Sequence, residues 1–289
     1  MEKLPEQKEG KEFGKNIRVI IEFGRHEIPG KTPEGMSADF LTEKGQKSAK
    51  ERGQKIAEEK VAGYASPKLR AQETVDLELE NVNEDIKVIN QKLSGNAKES
   101  SVGQKTDNVF KIKKRVELDT VKNFDKIMPE AKEWTKNQIA GGKKGTELDF
   151  IIQYYLDNSK RCEEFGVTTP REAASEIAYR AQKELKMTER FYNNTNVRLI
   201  NITHGPKLEP FLKEALINED GSRGFESLEE IGGSLNPGES FQFKVETDEQ
   251  GQRKVKLLFR EKEYEVDEKT IEMLADDYRQ KIKPKAEKE

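Results

Sequence analysis

Apolar positions fall into short β-branched runs that alternate with stretches of helical period. Residues 17–23 (IRVIIEF), closed by Gly24, predict a buried strand. Leu41-Thr42 opens a helix to about Lys60, with Thr42 as N-cap, and residues 61–65 (VAGYA) predict a second strand. Ser66-Pro67 reads as the next helix start, serine at N-cap and proline at the first helical position, with Arg70 one turn in. Residues 85–90 and 108–112 predict two short strands, separated by the polar, glycine-containing loop 94–107. Residues 119–140 and 147–165 have a helical pattern broken at Pro129 and at Gly141-Gly142. Thr169-Pro170-Arg171-Glu172 is a capping box, and Ala174, Ile177, Ala178, Ala181 and Leu185 follow at helical spacing. A strand at 197–203 leads into a helix from about Pro206 to Leu216. Residues 241–245 and 254–260 flank a turn at 248–251 as an antiparallel hairpin, before a last helix from about Glu268.

Strands alternating with helices indicate an α/β protein. We expect a three-layer α/β/α sandwich with a mostly parallel central sheet and a C-terminal β-hairpin extension. One domain would span residues 17–279, between charged, disordered tails at 1–16 and 280–289.

Composition narrows the function. Fifty-two basic and 55 acidic residues are interspersed for a net charge of −3, which disfavours a nucleic-acid face. The single cysteine, Cys162, excludes an internal disulfide and fits a reducing compartment. Nothing approaches the ~18 continuous apolar residues of a membrane span, and no apolar leader opens the chain. The expectation is a soluble cytoplasmic protein with no nucleic-acid or membrane partner. Two histidines and one cysteine make a zinc site hard to build, and we expect no metal and no cofactor.

Both histidines follow strands. Arg25-His26 leaves the first, His204-Gly205 leaves a later one, and Arg70 lies one turn into the helix after the second. In parallel sheets ligands bind beyond the carboxyl ends of the strands. Two arginines and two histidines converging there suit a dianion, since guanidinium offers phosphoryl oxygens a permanent bidentate fork.

Four segments resemble the histidine phosphatases (the phosphoglycerate mutase-like superfamily, larger branch), in the family's order. They are Arg25-His26 after a strand, Leu41-Thr42-Glu43-Lys44-Gly45, Ser66-Pro67-Lys68-Leu69-Arg70-Ala71-Gln72-Glu73-Thr74, and Thr203-His204-Gly205, spanning about residues 17 to 245. The resemblance implies hydrolysis of a phosphomonoester, without metal, through a phosphohistidine on His26. Arg25, Arg70 and His204 would hold the phosphoryl group, with Thr32 and Gly205 as further phosphate contacts. Glu117 would be the general acid, with Asp119 second. The substrate would be a phosphorylated small molecule or a phosphoprotein.

The chain departs from the family at Glu27, where a glycine is expected, and at Thr32, where an asparagine is common. A carboxylate facing the cage would repel phosphate and favour the non-nucleophilic imidazolium of His26. We expect Glu27 to turn outward, toward Lys31 or another base at the rim. Were it to face inward, the protein would be a non-catalytic phosphate-binding or regulatory homologue. Segments that mark the family's mutases are not recognisable, so hydrolysis is favoured over phosphoryl transfer between substrates.

Overall fold

The computed structural model describes residues 12–31, 37–89 and 112–282. The expected loop 94–107, Thr32 and the outer parts of both tails lie outside them.

A nine-stranded mixed sheet organises the chain. Its parallel part is built from β1 (Arg18–Arg25), β4 (Lys60–Ala65), β5 (Lys87–Val88), β6 (Lys113–Lys114) and β7 (Asn196–Thr203). β7 lies between β4 and β1, while β5 and β6 both pair with β4. On the other side of β1 comes the antiparallel series β9 (Ser240–Thr247), β10 (Arg253–Phe259), β11 (Lys262–Val266) and β8 (Leu216–Ile217). The predicted hairpin is therefore β9–β10, joined directly to the central strand and extended by β11. A separate antiparallel pair, β2 (Pro29–Lys31) and β3 (Ser37–Leu41), follows β1 in the chain.

Period-two alternation in the central strands fills two cores, one on each face. Val19, Ile21, Phe23, Val197 and Leu199 pack with residues of α6 (Pro170–Thr188), α7 (Gly205–Ala215) and α8 (Glu268–Asp277). Val61, Ala65, Ile200 and Ile202 pack with Ala71, Val75 and Leu79 of α2 (Leu69–Glu80), against which α1 (Glu43–Gln54) lies. These are the three expected layers. The helices α3 (Met128–Ala140), α4 (Glu147–Asp157) and α5 (Ser159–Phe165) complete the set among the described residues.

Several boundaries differ from the sequence reading. α1 stops at Gln54 rather than near Lys60, and its Gly53 lies so close to the backbone of Glu78 that a Cβ would meet the carbonyl carbon at 2.9 Å. Pro129 begins α3 instead of breaking a longer helix, and Asn158 divides the second helical stretch into α4 and α5. Ser66 does not cap α2, whose N-cap is Lys68. Residues 12–16, expected in the tail, pack on the fold: Phe13 stacks on Tyr192 at 5.0 Å, and Gly14 N–H donates to the Phe191 carbonyl.

Candidate active site

Register brings the two histidines together. β1 and β7 run parallel with Arg25 opposite Thr203, so His26 and His204 leave the sheet side by side. Their rings stand 5.0 Å apart at 64°. The His26 amide donates to the Thr203 carbonyl at 3.0 Å, holding the exit in line with the strand. β4, on the far side of β7, delivers Arg70 in the first turn of α2.

Arg70 fixes both imidazoles. Its Nε–H donates to His26 Nε2 at 3.0 Å, and Nη2 lies 3.4 Å from His204 Nδ1. A guanidinium only donates, so each of these ring nitrogens carries a lone pair. His26 Nδ1–H then donates to the Glu27 carbonyl at 2.7 Å, and His204 Nε2–H to Ser66 Oγ at 2.9 Å. Ser66 Oγ also accepts from the Lys68 amide and lies 3.4 Å from Asp119 Oδ1, which takes its proton. Both rings are neutral. Burial, opposed only in part by the bond to Glu27 O, brings His26 down to about 3, with Arg70 and Arg25 adding to the shift. His204 is held well below the ordinary range, chiefly by burial and then by His26 and Arg70.

Arg25 is held from the opposite side. Its Nη1 donates to Leu235 O at 2.6 Å, and its guanidinium crosses Gly205, where a Cβ would meet Cζ at 3.1 Å and Nε at 3.2 Å. Glycine at the start of α7 lets the arginine lie this close without shifting. Arg25 Nε is buried without a partner among the described residues, as is Glu209 Oε2 nearby. The other Glu209 oxygen accepts from the Leu235 amide at 3.0 Å. Burial pulls Arg25 down from its ordinary value and pushes Glu209 up to about 7; each charge partly offsets the shift of the other.

Glu27 turns away from this cage, but not toward the rim as expected. It is 2% exposed, and its Oε1 accepts from Ser48 Oγ at 2.9 Å and lies 3.8 Å from Arg52 Nη1. Its amide donates to Thr74 Oγ1. Gly238 makes the room: a Cβ there would lie 2.8 Å from Glu27 Cδ and 2.9 Å from Oε2. The glycine expected after the histidine stands instead across the loop that faces it.

Of the two candidate acids, Asp119 joins the hydrogen-bonded network through Ser66, and its charge also acts on Arg70. Glu117 sits in a 3₁₀ turn over Val116–Leu118, is 6% exposed, and has its charge felt by the buried Lys207. The turn lies under the end of β7, where Thr203 Oγ1 donates to Leu118 O. Sequence reasoning read Ser66 only as a cap and missed Arg52 and Glu209. Ser66 was within reach through its place in the Ser-Pro-x-x-Arg segment. Arg52 and Glu209 carry no local signal, because helix-surface spacing does not distinguish a buried charge from an exposed one.

Comparisons with known proteins complete the description. No family model matches the chain, and no curated protein matches it in sequence. Among solved structures, it is similar to a phosphoserine phosphatase from Entamoeba histolytica crystallised with phosphoserine, at 14% identity and a TM-score of 0.40, covering 83% of this chain and 94% of that one. It is similar to a mycobacterial glucosyl-3-phosphoglycerate phosphatase at 12% identity and a TM-score of 0.43, covering 84% and 97%. A phytase from Citrobacter braakii gives 11% identity and a TM-score of 0.41, covering 91% and 88%.

Proposed function

We propose that this protein is a phosphatase that hydrolyses a phosphomonoester through a phosphohistidine on His26, without a metal step. The observation that carries the reading is the pair of neutral imidazoles sharing one arginine fork, with the His26 lone pair on Nε2. A neutral imidazole is a competent nucleophile, and the low His26 value keeps it neutral throughout the physiological range. An entering phosphate dianion competes for the Arg70 donors, which frees Nε2 to attack phosphorus. The P–N bond forms as the bond to the ester oxygen breaks, and that oxygen leaves with a proton from a general acid. Water then attacks phosphorus as the carboxylate left by that acid takes its proton, and the P–N bond breaks to return the neutral imidazole and release phosphate. Charge on the equatorial oxygens is met by Arg70 and by Arg25, and His204 completes the pocket.

Glu117 is the better acid candidate. The Asp119 carboxylate is already engaged, accepting from the Thr120 amide at 2.8 Å and from the Ser66 hydroxyl. Thr32 stays in the reading as a phosphate contact on sequence grounds alone. Glu27 no longer argues for a disabled homologue, since its carboxylate faces Arg52. The neighbours' substrates suggest a phosphorylated small molecule.

The test is hydrolysis of an aryl phosphate with chelator present, at pH 5–8, by wild type and His26→Ala. Wild-type turnover lost in the variant, with an acid-labile, alkali-stable phosphoenzyme trapped on His26, is the expected result. No wild-type turnover across a substrate panel overturns the phosphatase reading, and turnover surviving in His26→Ala overturns the nucleophile. Glu117→Gln should slow esters of poorly acidic alcohols far more than aryl phosphates, whereas Asp119→Asn should not discriminate.

A further inference from the structure

We infer that Arg52 of α1 is a positioning residue for this site, fixing the His26 tautomer and the Arg25 clamp together. The inference deepens the phosphatase reading and rests on it for its catalytic consequence, but not for its structural one.

Arg52 is the hub of a buried charge cluster on the α1–α2 face of the sheet. Its guanidinium reaches Glu22 Oε1 at 2.7 Å, Glu78 Oε1 at 3.1 Å and Glu27 Oε1 at 3.8 Å. Nη1 also donates to the carbonyl of Gly238. Glu22 is shared in turn with Arg198 at 2.8 Å, and Arg198 holds Glu58 at 2.9 Å. Two of the Arg52 contacts lead to the site. Glu27 follows His26, and its carbonyl is the acceptor for His26 Nδ1–H. Gly238 donates its amide to Arg25 O at 3.1 Å, and three residues before it Leu235 O accepts from Arg25 Nη1. One guanidinium therefore pins the segment that places the nucleophile and the segment that places the phosphate clamp. It reaches neither ring itself, so its action is indirect.

The planar fork is the necessary feature, because several acceptors lie around it in different directions. Lysine would carry the charge as a single point and could satisfy only some of them. Displacement of a reacting group by about 1 Å costs on the order of 100-fold in rate.

With only two histidines in the chain, ring-nitrogen NMR on protein labelled at the imidazoles reads each tautomer without ambiguity. The wild type should show His26 as a single Nδ1–H tautomer at neutral pH. In Arg52→Lys we expect a mixture of both tautomers on His26, an unchanged His204, and a 10- to 100-fold fall in kcat/KM for an aryl phosphate. Glu27→Gln, which keeps the shape but removes the charge facing Arg52, covers the case in which the lysine variant fails to fold. It should mix the tautomers in the same direction. A single Nδ1–H tautomer retained in the folded variants overturns the positioning role even if stability falls. An inactive wild type with the expected tautomer shift defeats the phosphatase reading and leaves the positioning intact.

Discussion

The contact between Glu27 and Gly238 can be tested quantitatively by a double-mutant cycle. Gly238 has φ of +79°, so alanine there incurs the left-handed backbone penalty of about 1–2 kcal/mol. Its methyl would also lie within 3 Å of Glu27 Cδ and Oε2, a carboxylate tethered by Ser48 and Arg52 and unable to swing aside freely. Crowding of this kind adds about 1–3 kcal/mol. Gly238→Ala should therefore destabilise the wild type by about 2–5 kcal/mol, the sum of the two terms. In a Glu27→Ala background only the backbone part should survive, leaving a coupling of about 1–3 kcal/mol. Urea unfolding reports all four corners through Trp134, the one tryptophan, which packs on Phe150 and Tyr154 in the α3–α4 pair well away from residue 238 in sequence. Far-ultraviolet circular dichroism should give coincident transitions. Equal losses from Gly238→Ala in both backgrounds would refute the placement of the Glu27 carboxylate.

Other expectations follow from the same site. His26 is depressed to about 3 from an ordinary 6.5, so its contribution to stability is present above pH 6.5 and is lost as pH falls toward 3. Relative to His26→Asn, the wild type should lose up to about 1.4 kcal/mol per pH unit across that window, and parallel curves would contradict it. Glu209 has the opposite sign. Raised to about 7, it contributes stability that is full below about 4.5 and disappears as pH rises to 7, so Glu209→Gln should flatten that part of the curve. Arg25→Gln removes the guanidinium and should raise the inhibition constant for vanadate at least tenfold; unchanged vanadate affinity would show that Arg25 does not bind the phosphoryl group.

The layers and the central parallel strands were legible because β-branched runs and capping boxes are local signals. Thr42 and Thr169 do cap α1 and α6, with bonds from Gly45 and Glu172 amides. The convergence of Arg25, His26, Arg70 and His204 was legible because each is tied to a strand end or a helix start by adjacent chain. The direction of Glu27 was not legible. It depends on Arg52, 25 residues away, and on Gly238, more than 200 residues away, meeting behind the nucleophile. The close approach of α2 to Gly53 of α1 was hidden for a related reason: it is a contact between helices that no window along the sequence contains.

The place of β1 in the sheet has a consequence for how the protein loses its site. β1 is flanked by β7 along one edge and by β9 along the other, and its apolar side chains are almost fully withdrawn from solvent. Amide hydrogens in such a strand should exchange only through opening of the whole molecule, whereas β5 and β6, short and among the described residues paired with β4 alone, should exchange through local fraying. The strand that ends at the candidate nucleophile thus belongs to the last cooperative unit to open. On heating, the alignment of His26 with His204 should persist until the sheet itself separates, with inactivation and global unfolding falling together.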